Sequence, residues 1–406
     1  MKTSSKLALT AALLLALSIW AYPTLNALYQ TVYLFDKDRI VDNFRSGNQL
    51  WPTRAMTAST QPRPYSMGEP SALAQSFEYN GQTFNTEQFL ADSWTTGLLV
   101  VSGDQIAYEK YFLGNSRATR TISWSVAKSF ISALVGIAIG EGSIASIEET
   151  VDSYAPELKG SGYEGVRIKD ILQMSSGIAF NEDYADFDSD INRWGRGFAL
   201  GSSQDEFAAS LTRGGEPGSH NHYVSIDTHV LSMVLTRATG KTVADYMQEK
   251  LYQPLGMEFD GYWLIDGAGA EMALGGLNLT LRDFAKLGSL YLHNGAVDDQ
   301  QIVPADWVSA STRADAPHLQ PNPGSDSDPD VGPSLGYGYQ WWLPPSDSGE
   351  YMAMGIYGQY IYINPALDTV IVKASANPYY NDQSYVPSRD FANLALFRSI
   401  AAAGAD

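Results

Sequence analysis

Cysteine is absent from the 406 residues. That excludes disulfides, thiolate metal sites, iron–sulfur clusters and a cysteine nucleophile. Histidine is scarce, at 5, so no histidine-rich metal centre is expected. His220, His222 and His229 lie near one another in sequence, but no carboxylate cluster follows at ligand spacing. Basic residues are few: 26 Lys and Arg against 45 Asp and Glu, a net charge of −19. Nucleic acid is therefore not an expected partner, because phosphate binding needs clustered Lys and Arg. There is no Gly-x-Ser-x-Gly elbow, so an α/β-hydrolase triad has no support. Gly240-Lys-Thr242 imitates a phosphate loop, but Leu235 stands where that loop needs Gly, and a helix-ending turn is the simpler reading. Asp326, Asp328 and Asp330 imitate a calcium loop that Pro329 and Val331 would break. No metal or other cofactor is expected. What is present, 44% hydrophobic and 17% charged residues, is the composition of a folded globular chain.

Lys2 and Lys6 precede an uncharged stretch, residues 7–35, whose apolar heart is residues 7–22. A basic start before such a run reads as an export signal or an uncleaved membrane anchor. The bulky Ile19 ahead of Ala21 makes a poor cleavage site, which favours the anchor. With the lysines inside, the rest of the chain faces the periplasm or another extracytoplasmic space. Residues 36–90, punctuated by Pro52, Pro62, Pro64 and Pro70, read as an irregular extension. From there to residue 406 the pattern is one domain. A hairpin is expected over 97–102 and 105–111, and a buried helix over 125–141. A mainly helical insert spans about 140–295, with helices at 166–174, 227–238, 242–251 and 279–293, the last opening on a Thr280/Asp283 cap. Strands follow at 337–343, 351–355, 359–363 and 369–374, then a helix at 390–402. The fold class is α+β: an antiparallel sheet built from both ends of the chain, flanked by N- and C-terminal helices, with a helical insert.

Ser125-Val-Ala-Lys128 is the element that can do chemistry. Three residues are nearly one helical turn, so the Ser125 hydroxyl and the Lys128 amine can share a face. The N-terminal end of a helix stabilises developing negative charge. Burial disfavours the ammonium form of Lys128, and a neutral amine can take the serine proton. Taken alone, the pair is equally well a surface i,i+3 contact. Tyr223-Val-Ser225, after a turn-rich approach and before a helix, can add a phenol that relays a proton to the leaving group. Ala353-Met-Gly-Ile-Tyr-Gly358 is the third element. Gly355, expected on an edge strand, would let a substrate approach the backbone, and the Ile356 and Ser125 N–H groups can form an oxyanion hole.

In this order, Ser-x-x-Lys, Tyr-x-Ser and a Gly-bearing strand, the chain resembles the serine β-lactamase and penicillin-recognising (DD-peptidase-like) hydrolase superfamily. Val166-Arg-Ile-Lys-Asp-Ile-Leu-Gln-Met-Ser-Ser-Gly177, Pro254-Leu-Gly-Met257 and Gly275-Gly-Leu-Asn-Leu-Thr-Leu-Arg-Asp283 resemble its class C-like branch. The segment 353–359 is similar to 6-aminohexanoate-dimer hydrolases and related esterases. The resemblance covers about residues 90–400. It implies an acyl-enzyme on Ser125, with Lys128 as general base, Tyr223 as proton relay, and Asp183 and Tyr184 in a loop bordering the pocket. Two departures bear on substrate. Ala353-Met354-Gly355 stands where β-lactamases and peptidases carry a cation, and Ser225 stands in place of Asn. Both favour an ester or small amide, bound also by Ser225, Gly355 and Tyr357, in a pocket lined from Tyr184, Trp194, Trp341, Trp342 and Tyr357. A β-lactamase or DD-carboxypeptidase, and a non-catalytic envelope module on the same fold, are the alternatives. Oligomeric state is not written in the sequence.

Overall fold

The computed structural model describes residues 25–404 except 27, 70–71, 323, 325–332 and 383. The apolar run 7–22 and the acidic triplet 326, 328 and 330 lie outside the described residues. Among the described residues, no helix is long and apolar enough to cross a membrane.

Alternating side chains on a strand point to opposite faces, and the central strand Thr95–Ser102 is apolar on both. It therefore has to be covered twice. It pairs antiparallel with Gln105–Tyr111 on one side and Thr369–Ser375 on the other. An eight-stranded sheet runs Gly336–Tyr337, Trp342–Leu343, Tyr351–Gly355, Gln359–Asn364, Thr369–Ser375, Thr95–Ser102, Gln105–Tyr111 and Ser66–Met67. Its neighbours are antiparallel except the final pair, which is parallel. Leu98, Val100, Tyr362 and Ile371 face Leu394, Phe397 and Ile400 of the C-terminal helix Asp390–Ala403. Leu99, Val101, Ile361 and Val370 face the larger core with Phe130 and Phe284. Those two rings come from the helices Ala127–Gly140 and Leu281–Leu292, which meet at 6.1 Å between ring centroids. Each such apolar side chain contributes about 1.5–3 kcal/mol on burial.

A smaller four-stranded sheet has the order Thr53–Met56, Gly261–Leu264, Leu277–Leu279, Thr121–Ile122. Thr121–Ile122 leads directly into Ser125, so this sheet fixes the entry to the helix that carries Lys128. The first expected pairing, 97–102 with 105–111, is seen, as are strands at 351–355, 359–364 and 369–375. Thr280 caps its helix as its pattern predicts, its side chain accepting from Asp283 N–H. Gly240 ends the helix Ser225–Thr239 at φ +68°, a left-handed position that glycine adopts without strain.

Several elements differ from expectation. The stretch 337–343 is two two-residue strands, because Gly338 lies against Ser311 O, which a Cβ would meet at 1.9 Å, and Gln340 turns the chain at φ +63°. The helix expected over 166–174 covers Ile168–Leu172 and ends where Met174 takes φ +50°. The 242–251 helix is α over Val243–Met247 and a π turn over Gln248–Tyr252. The 36–90 stretch carries helices Ile40–Phe44 and Thr86–Asp92 and the strand Thr53–Met56, which pairs with Gly261–Leu264. The insert 140–295 likewise holds strands as well as helices.

Candidate active site

The chain reaches Ser125 along a strained path. Ser123 N–H donates to Leu277 O at 2.8 Å, and Trp124 then takes φ +44°. A bulky residue in that region costs about 1–3 kcal/mol and persists only where packing enforces it. The Trp124 ring is held against Phe44 at 5.4 Å, Phe35 at 5.8 Å and Tyr357 at 5.9 Å. Ser125 follows inside a single 3-10 turn, Trp124–Val126, and the α-helix begins at Ala127. The nucleophile candidate thus precedes the helix, and Lys128 sits in its first turn.

Ala, Gly and β-branched residues let this helix be buried almost all round, and Lys128 is only 2% exposed. Its Nζ lies 3.0 Å from Ser125 Oγ, 3.3 Å from Ser225 Oγ and 2.7 Å from Leu274 O. These acceptors are all uncharged. Burial therefore brings the Lys128 pKa down to about 7, against the pull of the Glu182 and Asp227 charges the other way. In the neutral form two protons serve Leu274 O and Ser225 Oγ, and the lone pair is left for the Ser125 proton. Tyr223 completes the group. Burial raises its pKa, so it stays protonated, although its hydroxyl faces Ser125, which favours the charged form. Lys128 Nζ lies 5.3 Å from the centre of its ring. Trp342 stacks on the ring at 5.4 Å, and Tyr337 meets it edge-on at 6.3 Å.

The strand Tyr351–Gly355 is not at the sheet edge by order. Its outer neighbour pairs with it only through Trp342 and Met352, however, so Gly355 is left open on that side. A Cβ on Gly355 would come 2.6 Å from Ser123 O and 3.1 Å from Ser125 N. Glycine is required because two backbones meet there. Ile356 begins the turn that follows, and Tyr357 continues it at φ +63°.

A cavity of about 420 Å³ opens beside Ser125, lined among others by Trp124, Tyr184, Trp194 and Ile356. Of the expected aromatics, Tyr184 and Trp194 are on this wall. Trp342 supports Tyr223, and Tyr357 packs behind Trp124. Trp341 is elsewhere: it is fully buried against Tyr291 at 4.5 Å and Tyr351 at 5.5 Å. Ser225 is beside Lys128 but fully buried, and its hydroxyl donates to Glu182 Oε1 at 2.5 Å. Asp183 is exposed and accepts from Ala185 N–H at 2.8 Å, facing away.

The acidic group turned toward the site is Glu182, which sequence reasoning passed over. It also accepts from Ser225 N–H at 3.0 Å and from the Tyr184 hydroxyl at 2.7 Å. Burial pushes its carboxyl pKa up, against the Lys128 charge and these hydrogen bonds. A signal was available: Phe180, Glu182 and Tyr184 alternate inward while Asn181, Asp183 and Ala185 are exposed, the parity of an extended segment.

The three neighbouring histidines diverge. His222 contacts Phe180 O at 2.9 Å, His229 meets Asp205 at 2.7 Å and His220 meets Ser219 at 2.9 Å. Among the described residues no group of three His, Asp or Glu could hold a metal ion.

The chain is similar in sequence and fold to known proteins. A 6-aminohexanoate-dimer hydrolase from Paenarthrobacter ureafaciens is 31% identical over 299 residues, 72% of this chain and 75% of that protein. Among solved structures, a candidate 6-aminohexanoate-dimer hydrolase from Bacillus anthracis superposes with a TM-score of 0.78 at 23% identity, covering 91% of this chain and 95% of that one. A family VIII carboxylesterase superposes at 0.57 and 18% identity, covering 78% and 95%. The Beta-lactamase family model matches residues 85–390. That span takes in the strained turn at Trp124, the buried lysine and the glycine strand together, and the chain belongs to the Beta-lactamase family, with a relative at 31% identity that is named as a hydrolase.

Proposed function

We propose that this protein is a serine hydrolase that cleaves an ester or small amide through an acyl-enzyme on Ser125. The observation that carries the reading is the buried Lys128 amine, 3.0 Å from Ser125 Oγ with its pKa brought down to about 7. Near neutrality a large fraction of it is free base, and it takes the Ser125 proton as Oγ bonds to the substrate carbonyl carbon. The Ser125 and Ile356 N–H groups receive the developing oxyanion. The bond to the alcohol or amine breaks, and Tyr223 passes that group a proton. Water then attacks the acyl ester by the reverse relay and frees the acid and Ser125. No cofactor enters this scheme.

The lack of a cation at Ala353-Met354-Gly355 weighs against β-lactam or D-Ala–D-Ala substrates, whose carboxylate would need one. The intact Ser125, Lys128 and Tyr223 cluster weighs against a non-catalytic module. Lys2 and Lys6 before the run 7–22 support an exported protein, held at the extracytoplasmic or periplasmic face of a membrane by its N-terminal segment. The test is an ester and amide screen with fluorophosphonate labelling beside it. Ser125→Ala is expected to lose both turnover and label; a labelled, active Ser125→Ala protein would mean another nucleophile.

A further inference from the structure

The cavity beside Ser125 is closed on one side by residues from the start of the described chain. Thr31, Val32, Leu34 and Phe35 line it. Phe35 stacks flat on Tyr357 at 4.7 Å and 14°, and meets Trp124. The segment is pinned from behind: Asn43 donates to Tyr33 O and Leu34 O, both at 2.9 Å, and Arg39 donates to the Tyr29 hydroxyl at 2.6 Å. So residues 31–35, which the sequence assigns to a signal or anchor, are a fixed wall of the pocket.

The pocket's chemistry is apolar. Arg196 is the one charged residue among its described lining residues. Its guanidinium donates to Phe187 O at 2.5 Å and lies 4.0 Å from the Phe187 ring centre. No carboxylate among the described lining residues stands ready to pair a cationic substrate group, and burying one unpaired is strongly unfavourable. At the pocket, Val32 is 73% exposed and Phe187 71%, and the segment that precedes its wall exposes Leu25 at 62% and Leu28 at 41%. Isolated exposed apolar residues need no explanation, but a group of them continuous with a pocket marks an interaction surface.

We propose that the Ser125 pocket takes an uncharged ester with a long apolar group, drawn from a lipid bilayer surface, with residues 31–35 as a wall of the pocket and Leu25 and Leu28, which precede that wall, in contact with the bilayer. The proposal rests on Ser125 being the nucleophile. The occupant of the apolar rim is set by what adjoins it in the chain. The apolar run ends at Tyr22, nine residues before Thr31. Nine residues span about 14 Å as helix and about 30 Å fully extended. Whatever lipid phase holds that run is within reach of the pocket mouth, with Leu25 and Leu28 in between. A neutral lipid ester then passes from one apolar medium to another without exposing its chain to water, at about 0.8 kcal/mol per methylene saved.

The experiment uses the full chain with phosphatidylcholine vesicles carrying 4-methylumbelliferyl dodecanoate, and the butyrate ester free in buffer. Leu25→Glu with Leu28→Glu, neither of which lines the cavity, is expected to lower the vesicle rate by about tenfold or more and to leave the butyrate rate unchanged. An unchanged vesicle rate, or equal losses on both substrates, would overturn the bilayer contact. A loss of self-association with the vesicle rate intact would do the same, by making a second copy the occupant. Wild type is expected to prefer the dodecanoate over its ω-amino analogue by about a hundredfold or more, and equal rates would refute the apolar pocket. Ser125→Ala separates the two levels: butyrate activity surviving in that variant defeats the nucleophile itself, whereas Ser125-dependent activity without these preferences defeats this inference alone.

Discussion

Lys128 shows how burial brings an amine toward its uncharged form. Its neighbours offer lone pairs and no full counter-charge, so desolvation decides its protonation. Glu182 tunes that balance, because its carboxylate favours the ammonium form. Removing it in Glu182→Gln lowers the Lys128 pKa further, so the acid limb of the pH–rate profile is expected to move below about 7. A limb that stays in place or moves up would show that Glu182 does not set the charge on Lys128. The Ser125–Lys128 pair was readable because three residues make nearly a turn, and Tyr223 because its short motif sits before a helix. Glu182 was not. Its partner Ser225 is 43 residues away, and a contact between a loop and a distant helix start leaves no local spacing to find. The family resemblance points to Asp183 and not to Glu182, and in that polar run only parity separates inward from outward.

Among the elements, the hairpins were legible and the irregular strands were not. Alternation and turn residues mark 97–111 and 351–375 locally. By contrast, Gly338 breaks 337–343 because Ser311 O approaches from elsewhere in the chain. Gly355 belongs to the same class of constraint, since it is shaped by the turn before Ser125. The expected outcome for Gly355→Ala is a loss of about a hundredfold in kcat with the fold retained, because a Cβ would push Ser125 N out of line with the oxyanion position. Steady-state kinetics with circular dichroism checks this, and undiminished kcat would remove that strand from the site.

At the scale of the molecule, the two sheets and the helices between them form one body that holds Ser125, Lys128 and Tyr223 in register. Arg282 ties the helix Leu281–Leu292 to the strand Gln105–Tyr111 by a two-pronged pair with Glu109, at 2.8 and 2.6 Å, and both side chains are largely buried. Arg282→Ala leaves that carboxylate unpaired and is expected to cost about 3–5 kcal/mol of stability, read from the urea midpoint, with activity per folded molecule preserved. A shift under about 1 kcal/mol would place the pair among weak surface bridges. The α+β architecture was legible because its strands and helices carry their own periodicities. The joining of the N-terminal stretch to the pocket was not, since residues 31–35 reach Ser125 only through tertiary packing on Trp124 and Tyr357. The whole account comes down to whether an uncharged Lys128 drives acylation of Ser125. Pre-steady-state acylation by a chromogenic ester, followed across pH in wild type and Lys128→Met, measures this directly. The wild-type rate is expected to rise through an apparent pKa near 7, and Lys128→Met to fall by about a thousandfold and lose that limb while remaining folded. Acylation of Lys128→Met at the wild-type rate, or a wild-type profile without that limb, would contradict the account.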